Sequence, residues 1–219
     1  DVPPSAERAH VEAAYRALRT LDVDLVHDHT AIGPTLTALH PPGVPVVTTA
    51  HERLSDEVAL RFAAAAAHGV AVVAISHHQR RQAPGVRFAT VIHHGIEPAR
   101  FPAGRGDGGY LLFLGRMSPD KGVDRAIRVA RAAGRRLVVA AKLCEPDERA
   151  YFADVVQPLL GPDALYAGQV GGRQKLDLLG GADALLNPIR WPEPFGLVMI
   201  ESLACGTPVL AFPEGAAPE

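Results

Sequence analysis

The run Tyr110-Leu111-Leu112-Phe113-Leu114-Gly115-Arg116-Met117-Ser118-Pro119-Asp120-Lys121-Gly122 decides the fold. Its first half is apolar without alternation, the pattern of a strand buried on both faces of a sheet. Its second half is a cationic turn. Ser118 suits an N-cap and Pro119 the first helical position, and Val123, Ala126, Ile127 and Ala130 give the following helix one apolar face that stops at Gly134. Arg116 and Lys121 therefore stand at a strand's carboxyl end, the edge where open α/β sheets bind ligands. An Arg and a Lys near a helix start are ordinarily solvated. Here they share one turn with Gly115 and Gly122 on either side, and two fixed cations at that edge can neutralise a diphosphate without a metal.

The same rhythm runs outward in both directions. A helix is expected over about residues 5 to 20, with short apolar strands near 24–28, 45–49, 71–75 and 88–92 and helical connections between them. Residues 96–109 are rich in Pro and Gly and end in Gly104-Arg105-Gly106-Asp107-Gly108-Gly109, which reads as a hinge. A second strand series follows near 110–114, 136–140, 163–167, 183–187 and 208–211. This divides the chain into a first domain over residues 1–97, which reads as half a doubly wound α/β sheet, a linker over 98–109 and a second domain over 110–219 with its own βα series. The alanines from Ala63 to Ala67 are helix filler, and nothing repeats beyond the βα rhythm.

The other informative stretch is Glu193-Pro194-Phe195-Gly196-Leu197-Val198-Met199-Ile200-Glu201, two carboxylates astride the point where a loop becomes a helix. Pro194 favours a first helical turn, and no breaker follows before Gly206, so free backbone N–H groups are expected near Gly196 and Leu197. Such an end attracts phosphate. Glu201 lies roughly 7.5 Å further along the axis at about 1.5 Å per residue, comparable to the step from a diphosphate to its ribose. A ligand along this element meets a carboxylate, an anion-binding terminus and a second carboxylate, the layout of a nucleotide-diphosphate sugar. Taken alone, Glu193 is a turn residue and Glu201 part of a solvated helix face; the cationic turn at 116–121 changes that balance.

With both stretches quoted, the chain resembles the family 4 retaining glycosyltransferases of the GT-B fold. Phe113 to Gly122 and Glu193 to Val209 are similar to the two signature segments of that family. Asp24-Leu25-Val26-His27-Asp28-His29, Val47-Thr48-Thr49-Ala50-His51, Ala74-Ile75-Ser76 and Val91-Ile92-His93-His94-Gly95-Ile96 resemble strand ends of its acceptor-side domain. The resemblance implies two Rossmann-like domains facing a cleft. It implies that Arg116 and Lys121 hold the donor diphosphate, with Gly115 beside them in the donor site. Glu193 would take the sugar hydroxyls, the backbone of Phe195, Gly196, Leu197 and Val198 the sugar and distal phosphate, and Glu201 the ribose. Val170 matches the position whose backbone meets the base, and His51 the acceptor-domain histidine that approaches the reacting sugar. No metal or other cofactor is implied, and the partners are a nucleotide-sugar donor and a hydroxyl acceptor.

The sequence departs from the family pattern in places. Asn187-Pro188 stands where Pro-Ser is more usual, and Gly215-Ala216-Ala217-Pro218-Glu219 is a loosened Gly-Gly-x-Pro-Glu loop. The glycine-rich first loop and the closing helices of a complete member are not in the sequence, so both domains are read as incomplete. A peripheral membrane contact through an amphipathic helix ahead of Asp1 stays open.

Composition agrees with a core-forming α/β chain. At 219 residues, 47 % hydrophobic and a formal charge of -2, it can bury a sizeable core and offers no basic block to nucleic acid. Cys144 and Cys205 give no disulfide framework, and with no apolar stretch approaching a membrane span the expected setting is the reduced cytoplasm. Three other readings compete. The glycines at 104–109 precede a strand, which argues against a dinucleotide fingerprint. His27 and His29 share a strand face and with His51 suggest a metal hydrolase, but no acidic ligand completes the set. A catalytically silent sugar-nucleotide-binding module is the third.

Overall fold

A computed structural model describes residues 4–219. It contains two compact units, one running to His94 and taking in Glu219, the other spanning Gly95–Pro218.

In the first unit, helix α1 (Pro4–Leu18) precedes four parallel strands, β1 (Val26–Asp28), β2 (Val46–Ala50), β3 (Ala71–Ala74) and β4 (Phe88–Val91), paired in chain order. Between β2 and β3 runs α2 (Asp56–Ala67), whose N-cap Ser55 accepts from Val58 N–H and whose first turn carries Asp56 and Glu57, both favourable at the positive end of a helix. Phe62, Val58 and Ala66 of α2 pack with Val72 and Ala74 of β3 and Phe88 of β4. Val11 and Tyr15 of α1 pack with Val26 and Val46 in a second cluster. The short α3 (His77–Gln82) brings in Gln79, fully buried, whose amide donates to the Ala50 and Glu52 carbonyls while its oxygen accepts from Ile75 N–H. That side chain ties the ends of β2 and β3 together.

The second unit is a five-stranded parallel sheet: β5 (Leu111–Arg116), β6 (Leu137–Lys142), β7 (Ala164–Gly168), β8 (Ala184–Asn187) and β9 (Val209–Ala211), in spatial order β7-β6-β5-β8-β9. Its helices are α4 (Val123–Ala132), α5 (Pro146–Tyr151), α6 (Gly172–Gly181) and α7 (Leu197–Ala204). Central β5 is buried on both faces, as its unbroken apolar run requires. Leu111 and Phe113 pack with Ala126, Ile127 and Ala130 of α4, while Leu112 joins Leu179, Leu185 and Cys205 on the other face. Removing Phe113, Leu112 or Ile127 from water contributes about 1.5–3 kcal/mol each.

Strand order reverses beside β5: the chain steps outward through β6 and β7, then returns to place β8 on the opposite side. In doubly wound sheets the crevice at such a reversal, outside the strands' carboxyl ends, is the ligand position. The connections leaving β5 and β8 flank it.

Two helix starts differ from expectation. Pro119–Lys121 forms a separate 3₁₀ turn, Gly122 then takes φ +75°, and α4 begins only at Val123. Ser118 makes no capping hydrogen bond. Likewise Pro194 and Phe195 precede α7, which starts at Leu197 after Gly196 at φ +91°. In both places a left-handed glycine, a conformation open to it at little cost, turns the chain between loop and helix. The segment expected as a hinge is part of the second unit. Gly104, Gly106 and Gly108 donate backbone hydrogen bonds to the carbonyls of Cys205, Gly180 and Gly181, and a Cβ on Gly104 would come within 1.9 Å of the Gly180 oxygen.

Candidate functional site

The end of β5 and the β5–α4 connection place Arg116 and Lys121 at the strand-order reversal. Arg116 is exposed and pairs loosely with Asp120 at 3.4 Å. Lys121 is only 19 % exposed, forms an ion pair with Glu193 and lies over the Trp191 ring at 4.9 Å from its centre. Glu193 comes from the β8–α7 connection. Its backbone is fixed by Ala216 N–H, which donates to its carbonyl at 2.8 Å, and Gly215 passes so close that a Cβ there would lie 2.3 Å from Glu193 N.

Beside these loops is a cavity of about 310 Å³ lined by Gly115, Val170, Leu197, Val198 and Glu201, with Lys142 and Lys175 adding positive charge. Five of the residues singled out from sequence thus surround one space. The first turn of α7 opens onto it, and free N–H groups there carry the positive end of the helix dipole. Glu201 is held by Lys175 at 2.8 Å, and Lys175 in turn sits over Phe101. Arg116, Lys121 and Glu193 do not line this cavity; Arg116 ends β5, and Lys121 and Glu193 sit on the connections next to it. Phe195 and Gly196 lead into the helix and are not among its lining residues. A second hollow, about 320 Å³ along β9, is walled by Val129, Leu186, Leu210 and Phe212 without a charged group and does not suit an anion.

Sequence reasoning passed over Lys142, Lys175, Asp124 and Arg190. Lys142 had a signal: β6 is also an apolar run ending in a cation, and Lys142 is the register partner of Arg116. Lys175 and Arg190 had none, because their partners are distant in sequence. Cys205 is buried, and that burial raises its thiol pKa, so it is an inert core residue.

His51 lies in the first unit, in a row of imidazoles at the carboxyl ends of β1 and β2. His29 Nδ1 meets His51 Nε2 at 2.7 Å, His51 Nδ1 meets His94 Nε2 at 3.4 Å, and His27 Nε2 meets Thr49 Oγ1 at 2.9 Å. Partial burial, then the neighbouring imidazoles, hold the pKa of His51 below the ordinary value; burial and His29 do the same for His27 and His94. The rings spend their nitrogens on one another and on Thr49. Among the described residues no group of three or more His, Cys, Asp or Glu is arranged to hold a metal ion.

A family model described as Glycosyl transferases group 1 matches residues 96–219, more than half of the chain. The chain belongs to that family. Residues 3–100 match a second model, Glycosyltransferase Family 4. Among curated relatives of this group 1 glycosyltransferase, "Uncharacterized glycosyltransferase MJ1607" of Methanocaldococcus jannaschii is 32% identical over 110 residues, 48% of this chain and 27% of that protein. The D-inositol 3-phosphate glycosyltransferase of Mycolicibacterium smegmatis is 31% identical over 112 residues, 48% of this chain and 25% of that protein. Among solved structures, AviGT4, a glycosyltransferase involved in avilamycin A biosynthesis, superposes over 100% of this chain and 62% of its own with TM-score 0.75 and 33% identity. Anabaena Alr3699/HepE, solved with UDP and glucose, shares the fold with TM-score 0.75 at 21% identity over 98% of this chain and 64% of its own. The two Rossmann-like sheets are the GT-B architecture of these neighbours. The matches span about a quarter of these two curated relatives and less than two thirds of these two solved chains. Among the described residues no helix is long and apolar enough to cross a membrane.

Proposed function

We propose that this group 1 glycosyltransferase transfers a sugar from a nucleotide-diphosphate donor to an acceptor hydroxyl, with retention of anomeric configuration and without a metal. The observation that carries the reading is the cavity at the strand-order reversal, where Gly115, Val170, the start of α7 and Glu201 meet. The base lies toward Val170, the ribose hydroxyls toward Glu201, and the diphosphate toward the α7 N–H groups and Arg116. Lys121 faces the distal phosphate and Glu193 the sugar. As the bond from the anomeric carbon to the diphosphate oxygen breaks, negative charge grows on that oxygen. Fixed cations and helix N–H groups stabilise this charge more than the ground state, which is where rate enhancement arises.

The acceptor oxygen bonds to the anomeric carbon on the face the phosphate leaves, and its proton passes to the departing phosphate. His51 is the acceptor-side candidate in this reading. With its pKa lowered it is neutral near pH 7 and suited to hydrogen bonding to a sugar. Two unpaired cysteines, one exposed and one buried, support a reduced, cytoplasmic setting. The test is NMR of the product formed from an α-linked donor and a hydroxyl acceptor in the presence of a chelator. An α product with chelator present supports the proposal; a β product, or turnover only with added metal, rejects it.

A further inference from the structure

Behind the two connections lies an ion pair with a buried carboxylate. Asp124, buried in the first turn of α4, receives both arms of the Arg190 guanidinium, at 2.7 Å and 2.8 Å. The Tyr151 hydroxyl donates to the same carboxylate at 2.7 Å. Arg190 also reaches the turn that carries Lys121, through its guanidinium to the Pro119 carbonyl at 2.9 Å and its backbone N–H to the Asp120 carbonyl at 2.7 Å. Arg125 closes the other side by donating to the Ile189 carbonyl at 3.3 Å. Every one of these bonds except that of Tyr151 joins the β5–α4 connection or the first turn of α4 to the β8–α7 connection. One connection carries Lys121 and the other carries Glu193.

We propose that Asp124 and Arg190 are positioning residues that fix the Lys121 turn against the Glu193 loop and thereby set the geometry in which a nucleotide-diphosphate sugar is held. This rests on the proposed function of the site. A planar guanidinium with two parallel bonds to a carboxylate fixes orientation as well as distance, which one ammonium contact does not. Misplacement of a charged contact by about 1 Å is enough to forfeit much of its value at a reacting centre. The buried carboxylate receives both guanidinium bonds and the Tyr151 hydroxyl; without Arg190 it would keep the hydroxyl but lose its close counter-charge. The Arg190 contact holds the Asp124 carboxyl down at about 2, in keeping with a permanently ionised pair.

The chain has a single tryptophan, Trp191, next to Arg190 and against Lys121, so its fluorescence reports on this junction without any ligand. The experiment compares the wild type with Arg190→Ala, Arg190→Lys and Asp124→Asn, each read by Trp191 emission with acrylamide quenching and by calorimetric affinity for UDP-, GDP- and ADP-glucose. Arg190→Ala and Asp124→Asn are expected to red-shift the emission, raise quenching and weaken the bound donor at least tenfold, with Arg190→Lys recovering part of both. Unchanged emission and affinity in folded Asp124→Asn and Arg190→Ala would overturn the proposal. If Arg190→Ala does not fold, Asp124→Asn, which keeps the side chain's size, decides alone. A wild type that binds none of the three nucleotide sugars, with the emission shifts as expected, would reject the functional reading and leave the structural clamp standing.

Discussion

Lys121 and Glu193, 72 positions apart in sequence, form an ion pair across the two connections at the strand-order reversal, with side chains 19 % and 13 % exposed. Each has a proposed ligand contact of its own, phosphate for the lysine and sugar hydroxyls for the carboxylate. In the protein they neutralise each other, so donor binding must share or exchange this contact. The pair also means that neither residue can be altered without changing the other's electrostatic surroundings.

Glu193→Gln should leave affinity for a free nucleoside diphosphate unchanged or slightly improved, since Lys121 loses its competing carboxylate. The same variant should weaken the sugar-bearing donor. Glu201→Gln should weaken both ligands, because the ribose is common to them. Isothermal titration of each variant with both ligands checks this, and equal losses of free nucleotide in the two variants would reject the proposed order along α7.

Lys121→Ala should weaken nucleoside-diphosphate binding more than Arg116→Ala. Each loses a charge-assisted hydrogen bond, about 1.5–3 kcal/mol, but only Lys121→Ala also leaves Glu193 as an uncompensated negative charge beside the phosphate. Calorimetric affinities that rank the other way, or do not change, contradict the assignment.

Gly122→Ala should destabilise the second unit by about 2 kcal/mol or more, from a left-handed backbone combined with steric overlap. Gly122 has φ +75°, and an added Cβ would lie 2.3 Å from the Pro188 oxygen. Denaturant unfolding measures the loss; a variant as stable as the wild type would mean the turn tolerates a side chain there.

The Asp124 carboxyl is held at about 2 against an ordinary 3.8, first by Arg190 and then by Tyr151. A depressed folded-state pKa stabilises above the unfolded value and loses that contribution as pH falls through the folded one. The share is about 2 kcal/mol at 1.36 kcal/mol per pKa unit. The stability difference between wild type and Asp124→Asn should therefore be full above about pH 4 and shrink toward pH 2. A difference constant across that range would show that the ion pair is not its source.

The strands were legible because β5, β6 and β8 are apolar runs that fit a sheet covered on both faces, and the ligand-binding edge followed from the cationic end of β5; the strand-order reversal beside it did not. Glu201 was legible from the helix start, and Gly115 and Val170 from the family resemblance; all three line one cavity. The true starts of α4 and α7 were not legible. An added Cβ would lie 2.3 Å from the Pro188 oxygen at Gly122 and 2.3 Å from the Met199 methyl at Gly196, close approaches that are not visible in local propensity. The same holds for Lys121 with Glu193, Lys175 with Glu201 and Arg190 with Asp124. Each joins residues from different βα units, so only the folded sheet brings them together.

The most direct measurement is isothermal titration of UDP-, GDP- and ADP-sugars into the protein with a chelator present. The account predicts saturable one-to-one binding of at least one of them, weakened in Lys121→Ala and Glu201→Gln. No binding of any of the three, or binding undiminished in both variants, would contradict it.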